Sequence, residues 1–168
     1  MKAPEKLTYA ISLLPDQEAA ARIRTAVREL ERHSGNDFMV EHDVPPHLTL
    51  GIFHAAQTEL PRLQELFRDF AHNRAACDDS GALALDFFGA DNFLDKVIFL
   101  SLGNPEQARK SNPALFELNA AQFKKGFDFA KSLSLPKRAS FVALSLAQCK
   151  PYKEIERADF CGSSNTQY

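Results

Sequence analysis

Two side chains set two residues apart, the imidazole of His47 and the hydroxyl of Thr49, make the strongest chemical pair in this chain. They lie in the stretch VPPHLTLGIF, residues 44–53. The run reads as a β-strand, and residues i and i+2 of a strand project from one face. The two side chains would then stand about 7 Å apart, two rises of about 3.3 Å. At that spacing both reach one phosphate group. The ring can move a proton while the hydroxyl donates to a non-bridging oxygen. Imidazole suits either direction of transfer, because its unperturbed pKa of about 6.5 lies close to neutral pH. On this reading Gly51 shares their face and leaves room for a ligand to approach the backbone. Leu48, Leu50 and Ile52 point the other way, into the core.

The segment PPHLTLG, preceded by a strand and a helix and followed by a helix, resembles the first signature of the 2H phosphoesterase superfamily. These are the cyclic nucleotide phosphodiesterases and 2′,5′ RNA ligase-like proteins, named for two H-x-[ST] motifs. The hairpin FFGADNFLDKVIFLSL is similar to the family's middle strands, and the resemblance covers roughly residues 5–127. It implies two lobes, each supplying one motif, with the two imidazoles flanking the scissile phosphate. One imidazole accepts a proton from the attacking hydroxyl or water; the other protonates the leaving oxygen. The Thr or Ser hydroxyls hold the phosphate, with no metal or cofactor. By resemblance His47 and Thr49 take the first pair of roles.

The second motif belongs on the apolar run at 139–149, where VALSLAQ best matches the pattern P-H-x-[ST]-L-A-[RK]. That register puts Ala143 at the position of the second His and Ser145 at the position of the second hydroxyl. Val142, Leu144 and Leu146 then face the core. A shift by two puts Phe141 at the His position. Residues 141, 143 and 145 share a face of an unbroken strand, so both registers stay open. Neither supplies an imidazole: the five histidines are 33, 42, 47, 54 and 72. A positioned general acid or base contributes about 10²–10⁴-fold, or about 3–5 kcal/mol of barrier. A site of His47, Thr49 and Ser145 therefore binds phosphate and turns over weakly. His42, His54, Tyr9 and Tyr152 are the other proton carriers near these strands. Lys137, Arg138, Lys150 and Lys153 bracket the second strand and would draw phosphate or RNA toward it.

The elements that must position these groups follow from patterning. LTYAISLL (7–14) alternates as a half-buried strand. PDQEAAARIRTAVRELERHSG has an acidic start, an Ile23–Val27–Leu30 stripe, a basic end and Gly35, and so reads as a helix. Residues 38–44 read as extended, ending at Pro45-Pro46. A second helix starts at Thr58 as N-cap, with Leu60, Leu63, Phe67 and Phe70 inward. Residues 82–103 make two strands around a turn near Asp91-Asn92, Val97 and Phe99 being buried. A helix capped by Asn104 is interrupted at Pro113, restarts at Asn112 and ends at Gly126. Strand 139–149 is followed by a helix over 150–160 and a frayed tail, CGSSNTQY. The expected fold is α+β: a single domain over 1–168 of two pseudo-duplicated lobes, about 5–78 and about 80–160. Each lobe would be a small, mostly antiparallel sheet backed by helices, facing the other across a groove.

Composition bounds the function. With 45% hydrophobic residues the chain has ample core material, and its net charge of −2 excludes a polyanion-coating protein while allowing a local basic patch. No run of 18 apolar residues occurs, and MKAPEKLTYA lacks the apolar core of a signal peptide. Cys77, Cys149 and Cys161 lack C-x-x-C spacing and read as reduced thiols in a cytoplasmic protein, with no metal-ligand cluster. No Gly-rich phosphate loop, H-E-x-x-H or nucleophile elbow is present. The expectation is a metal-independent phosphoesterase acting on 2′,3′-cyclic phosphates or 2′,5′ linkages of RNA or nucleotides, with impaired activity. The alternative is an inactive protein that binds a nucleotide or RNA end in the same groove.

Overall fold

Alternation over residues 7–14 gives strand β1 (Lys6–Pro15), with Tyr9 and Leu13 in the core. Asp16 then caps helix α1 (Gln17–Ser34), its carboxylate accepting from Ala19 N at 2.7 Å, and Gly35 closes it with a left-handed φ of 74°. The computed structural model describes residues 6–35, 38–73, 82–93, 97–102, 114–117 and 120–160. A helical turn α2 (Phe38–Glu41) leads to β2 (Leu48–Ala56) and, through a short 3₁₀ turn, to α3 (Leu60–Asn73). β3 (Leu83–Phe93), β4 (Val97–Leu102), β5 (Ala114–Glu117), α4 (Ala120–Ala130), β6 (Arg138–Gln148) and β7 (Lys153–Asp159) complete the described elements.

The fold is α+β, with every strand pair antiparallel. Strand order is β2-β1-β6-β3-β4-β5, and β7 also pairs with β6. β6 is the hub. One edge meets β1; the other meets β3 at its start (Ala139↔Leu85) and β7 further along (Ser145↔Arg157). Its position explains its composition: a strand paired on both edges and buried on both faces reads as a continuous apolar run. Helix α1 packs chiefly on α4, and its Ile23, Val27 and Leu30 join Leu100 and Ala130 in the core. α3 lies against β6 and β7 with Phe67 only 1% exposed.

Several expectations are corrected. Residues 38–41 form a helical turn, and residues 153–159 form a strand. α3 begins at Leu60 rather than beside a Thr58 cap; the Glu59 carboxylate accepts from Ala56 N at 2.7 Å. Its Phe70 is exposed. The first middle strand runs past Asp91-Asn92 to Phe93, so no turn falls at that pair. In β4 Ile98, Leu100 and Ser101 are buried, and the side chains of Val97 and Phe99 lie outside the described residues. Gly126 sits inside α4 and does not end it. The expected cap at Asn104, the break at Asn112-Pro113, Cys77 and the tail from Cys161 also lie outside them.

β-Bulges cause the larger correction. On β2, Ile11 pairs with Gly51 and Ser12 with Thr49, leaving Leu50 as an extra residue. The bulge flips the alternation beyond it. Leu48 stays in the core, but Leu50 and Ile52 are 50% and 64% exposed, and Phe53 and Ala55 turn inward instead. Gly51 is paired with Ile11, is exposed, and has open space where a Cβ would stand. His54, whose alternation from Leu48 would have put it inward, faces out and meets Thr8 Oγ1 at 3.1 Å.

Candidate functional site

Strand register assembles the candidate groups into rows across one face. Ser12 of β1 pairs with Thr49 on one side and Ser145 on the other, and Ser145 pairs with Arg157 of β7. Directly opposed residues of antiparallel strands share a face. Thr49, Ser12 and Ser145 therefore form one transverse row of hydroxyls, with Thr49 and Ser145 about 10 Å apart across two strand spacings. The opposite face of the same strands carries Tyr9, Leu13, Leu48, Leu144 and Leu146 into the core.

One step along is the row that would carry the imidazoles. β1 pairs Leu13 with both Leu48 and Leu144, and Leu14 with Ala143. His47 immediately precedes Leu48, where the β1–β2 pairing ends, and Ala143 pairs with Leu14 on the other side of β1. Between Leu14 and Pro15 the register of β6 slips, pairing Pro15 with Phe141 and leaving Val142 as the extra residue. This second bulge separates the two registers that the sequence leaves open. Phe141 turns to the core, 2% exposed, with its ring centroid 6.4 Å from that of Phe87. Ala143 keeps the face of Ser145 and is 0% exposed.

His47 is half-buried just before β2. Its Nδ1 lies 2.8 Å from the Pro45 carbonyl oxygen. A carbonyl only accepts, so Nδ1 carries the proton and Nε2 of the neutral ring keeps its lone pair. Burial lowers the ring's pKa below its ordinary value, outweighing the Pro45 bond, which acts to raise it. At neutral pH the ring is thus an oriented base.

The same ring lines a cavity of about 310 Å³ between α1 and the 39–47 segment. Arg24 and Arg28, one helical turn apart on α1, line it together with Asp43, over an apolar floor that includes Ile23, Val27 and Met39. Asp43 adopts a left-handed φ of 45°, turning the chain from α2 toward Pro45. Sequence reasoning passes over both arginines, although their i, i+4 spacing was the available signal; a charged helix face more often meets only water.

Across the row, Ser145 is 1% exposed and donates to Glu154 Oε2 at 2.9 Å. It also interacts with the Tyr152 phenol, whose pKa is pushed up to about 12, first by burial and then by Glu154. Ser145 is therefore already engaged by the β6–β7 hairpin. Ser12, missed by the sequence reading, is buried beside it. Its outward alternation in β1 was the signal.

The remaining cations lie elsewhere. Arg138 and Lys137 are exposed at the start of β6, where Arg138 sits 3.7 Å from Asp86 and lines a separate cavity with Asp16, Glu18 and Arg22. Lys150 occupies the β6–β7 turn and Lys153 begins β7, both exposed. His42 is 3.9 Å from Glu41. Tyr9 is buried in the core. Cys149 is a free, half-buried thiol. Among the described residues no three His, Cys, Asp or Glu side chains cluster to hold a metal ion, and no helix is long and apolar enough to cross a membrane.

No family model and no curated protein matches the chain. Among solved structures it is similar to E. coli LigT complexed with 3′-AMP, at 14% identity, over 93% of this chain and 99% of that one, with a TM-score of 0.47. The ATP complex of E. coli LigT gives 15% identity over the same shares and a TM-score of 0.46. Its NADP⁺ complex gives 13% identity, again over 93% of this chain and 99% of that one, and a TM-score of 0.45.

Proposed function

We propose that the protein is a metal-independent phosphoesterase of the 2H type, opening 2′,3′-cyclic phosphates or cleaving 2′,5′ linkages of RNA or nucleotides in the cytoplasm. The observation that carries this reading is His47: a neutral imidazole oriented by the Pro45 carbonyl, lining a cavity and standing two residues before Thr49. In the proposed reaction Nε2 of His47 takes the proton of the attacking water. Thr49 donates to a non-bridging oxygen, and Ser145 joins it only by giving up its bond to Glu154. The bond from phosphorus to the leaving ribose oxygen breaks, and solvent supplies that oxygen's proton because Ala143 stands where a second imidazole would. Lys137 and Arg138 contribute only long-range attraction for an anionic chain. Turnover is correspondingly slow, by about 10²–10⁴-fold relative to a two-imidazole site. The test is hydrolysis of a 2′,3′-cyclic nucleotide by the wild type and by His47→Ala at high protein concentration. A clear rate in the wild type that His47→Ala abolishes is expected; equal inertness of both rejects an enzyme.

A specific observation favours a second reading, a nucleotide- or RNA-end-binding protein without chemistry. Ala143 is fully buried and Ser145 is already bonded to Glu154, so this half of the row is closed rather than merely lacking a ring. Titration with 2′- and 3′-phosphorylated nucleotides decides it: saturable binding without turnover supports the reading, and no binding at millimolar ligand rejects it.

A further inference from the structure

The cavity beside His47 has more in it than one reacting phosphate needs. Arg24 and Arg28 both line it, and neither has a carboxylate partner among the described residues. The chain's net charge is −2, yet this cavity gathers two guanidiniums, one carboxylate and a neutral imidazole, a local excess of one positive charge. Guanidinium forks match phosphate oxygens in geometry as well as charge. The floor is apolar, formed in part by Val27 and Met39. At about 310 Å³ the space lies at the small end of ligand pockets, which start at about 300 Å³. Apolar floor, paired cations and one acceptor in one concavity match a nucleotide unit: base on the floor, phosphodiester on the arginines, and a ribose hydroxyl donating to Asp43.

Resting on the phosphoesterase reading above, we propose that this cavity holds the nucleotide one step upstream of the nucleotide that carries the scissile cyclic phosphate. The ligand is then an RNA oligomer end rather than a mononucleotide. Asp43 adds a preference for ribose, since a 2′-hydroxyl can donate to it and a deoxyribose cannot. The arginines discriminate by chain length, because a mononucleotide cyclic phosphate has no second phosphodiester to offer them.

Binding measurements test this with a ribodinucleotide ending in a 2′,3′-cyclic phosphate, the matching mononucleotide, and a mononucleotide cyclic phosphate carrying a 5′-triphosphate. The proteins are the wild type and the double variant Arg24→Gln/Arg28→Gln, whose substitutions lie on the exposed side of α1. The dinucleotide is expected to bind the wild type at least about ten-fold tighter than the mononucleotide, a difference of ~1.4 kcal/mol. That advantage should vanish in the double variant. Equal affinities in the wild type, or an advantage that survives the double substitution, overturn the proposal. So does an equal gain from the 5′-triphosphate, which would show the arginines reading charge alone. If His47-dependent hydrolysis of the mononucleotide is present but chain length has no effect, this inference falls and the phosphoesterase reading stands. If nothing is turned over while the arginine-dependent gain is seen, the reverse holds.

Discussion

His47 is held by two opposed influences, and their balance makes a prediction. Burial disfavours the charged ring, while the Pro45 carbonyl bond favours it; burial is the larger, so the pKa lies below the ordinary 6.5. A histidine with a depressed pKa binds fewer protons folded than unfolded near that value. Its contribution to stability is therefore full above about 6.5 and is lost as the pH falls through the folded value. The His47 ring should titrate by NMR with a midpoint below about 6.5. The acid limb of kcat/KM for cyclic phosphate hydrolysis should follow the His47 midpoint rather than about 6.5. A midpoint at or above about 6.5 would show that the ring is hydrated, and the base assignment would lose its physical ground.

At the scale of the element, the candidate site was half legible. The H-x-T spacing, the extended backbone and the inward placement of Leu48 follow from types and alternation, and α1 follows from its caps and stripe. The faces beyond each bulge do not. An extra residue at Leu50 or Val142 leaves no mark in composition, since Leu and Val suit either side of a strand, yet each reverses every side chain past it. That is why Ile52 is exposed and why Phe141 and Ala143 part company. The consequence is testable at Ala143. It is 0% exposed, so an imidazole placed there must displace packed neighbours. Ala143→His should destabilise the fold by about 1–3 kcal/mol in chemical denaturation without restoring two-imidazole rates. Phe141→His should cost more, because it removes a core ring and buries an unpaired polar group. An Ala143→His protein as stable as the wild type, and faster, would mean that the row is open and that the loss of the second His is the only defect.

Across the whole molecule, the two ends of the sequence meet: β6 and β7 complete the sheet begun by β1 and β2. β7 was illegible for a physical reason. KEIERAD has a single strongly apolar residue and the composition of a solvated helix, but charged residues are also what a sheet-edge strand tolerates; pairing with β6 decides the outcome. Glu156 shows what that pairing achieves. Its carboxylate accepts from Arg68 Nε, from Arg68 Nη2 at 3.1 Å and from Gln64 Nε2 at 3.1 Å, so two residues of α3 are tied to a strand nearly ninety positions away. The Glu156 side chain is only 18% exposed but Arg68 is 63% exposed, so screening reduces the value of the ion pair. Glu156→Ala should cost about 1–2 kcal/mol, against about 3–5 kcal/mol for Phe67→Ala, which empties the buried α3 contact. If β7 is the latch for α3, the Glu156→Ala cost is local. Amide hydrogen exchange should accelerate along α3 while β1 and β6 keep their protection. Uniform acceleration across the sheet would show instead that α3 and the hydroxyl-bearing strands open as one unit, and that the candidate site cannot loosen without the core.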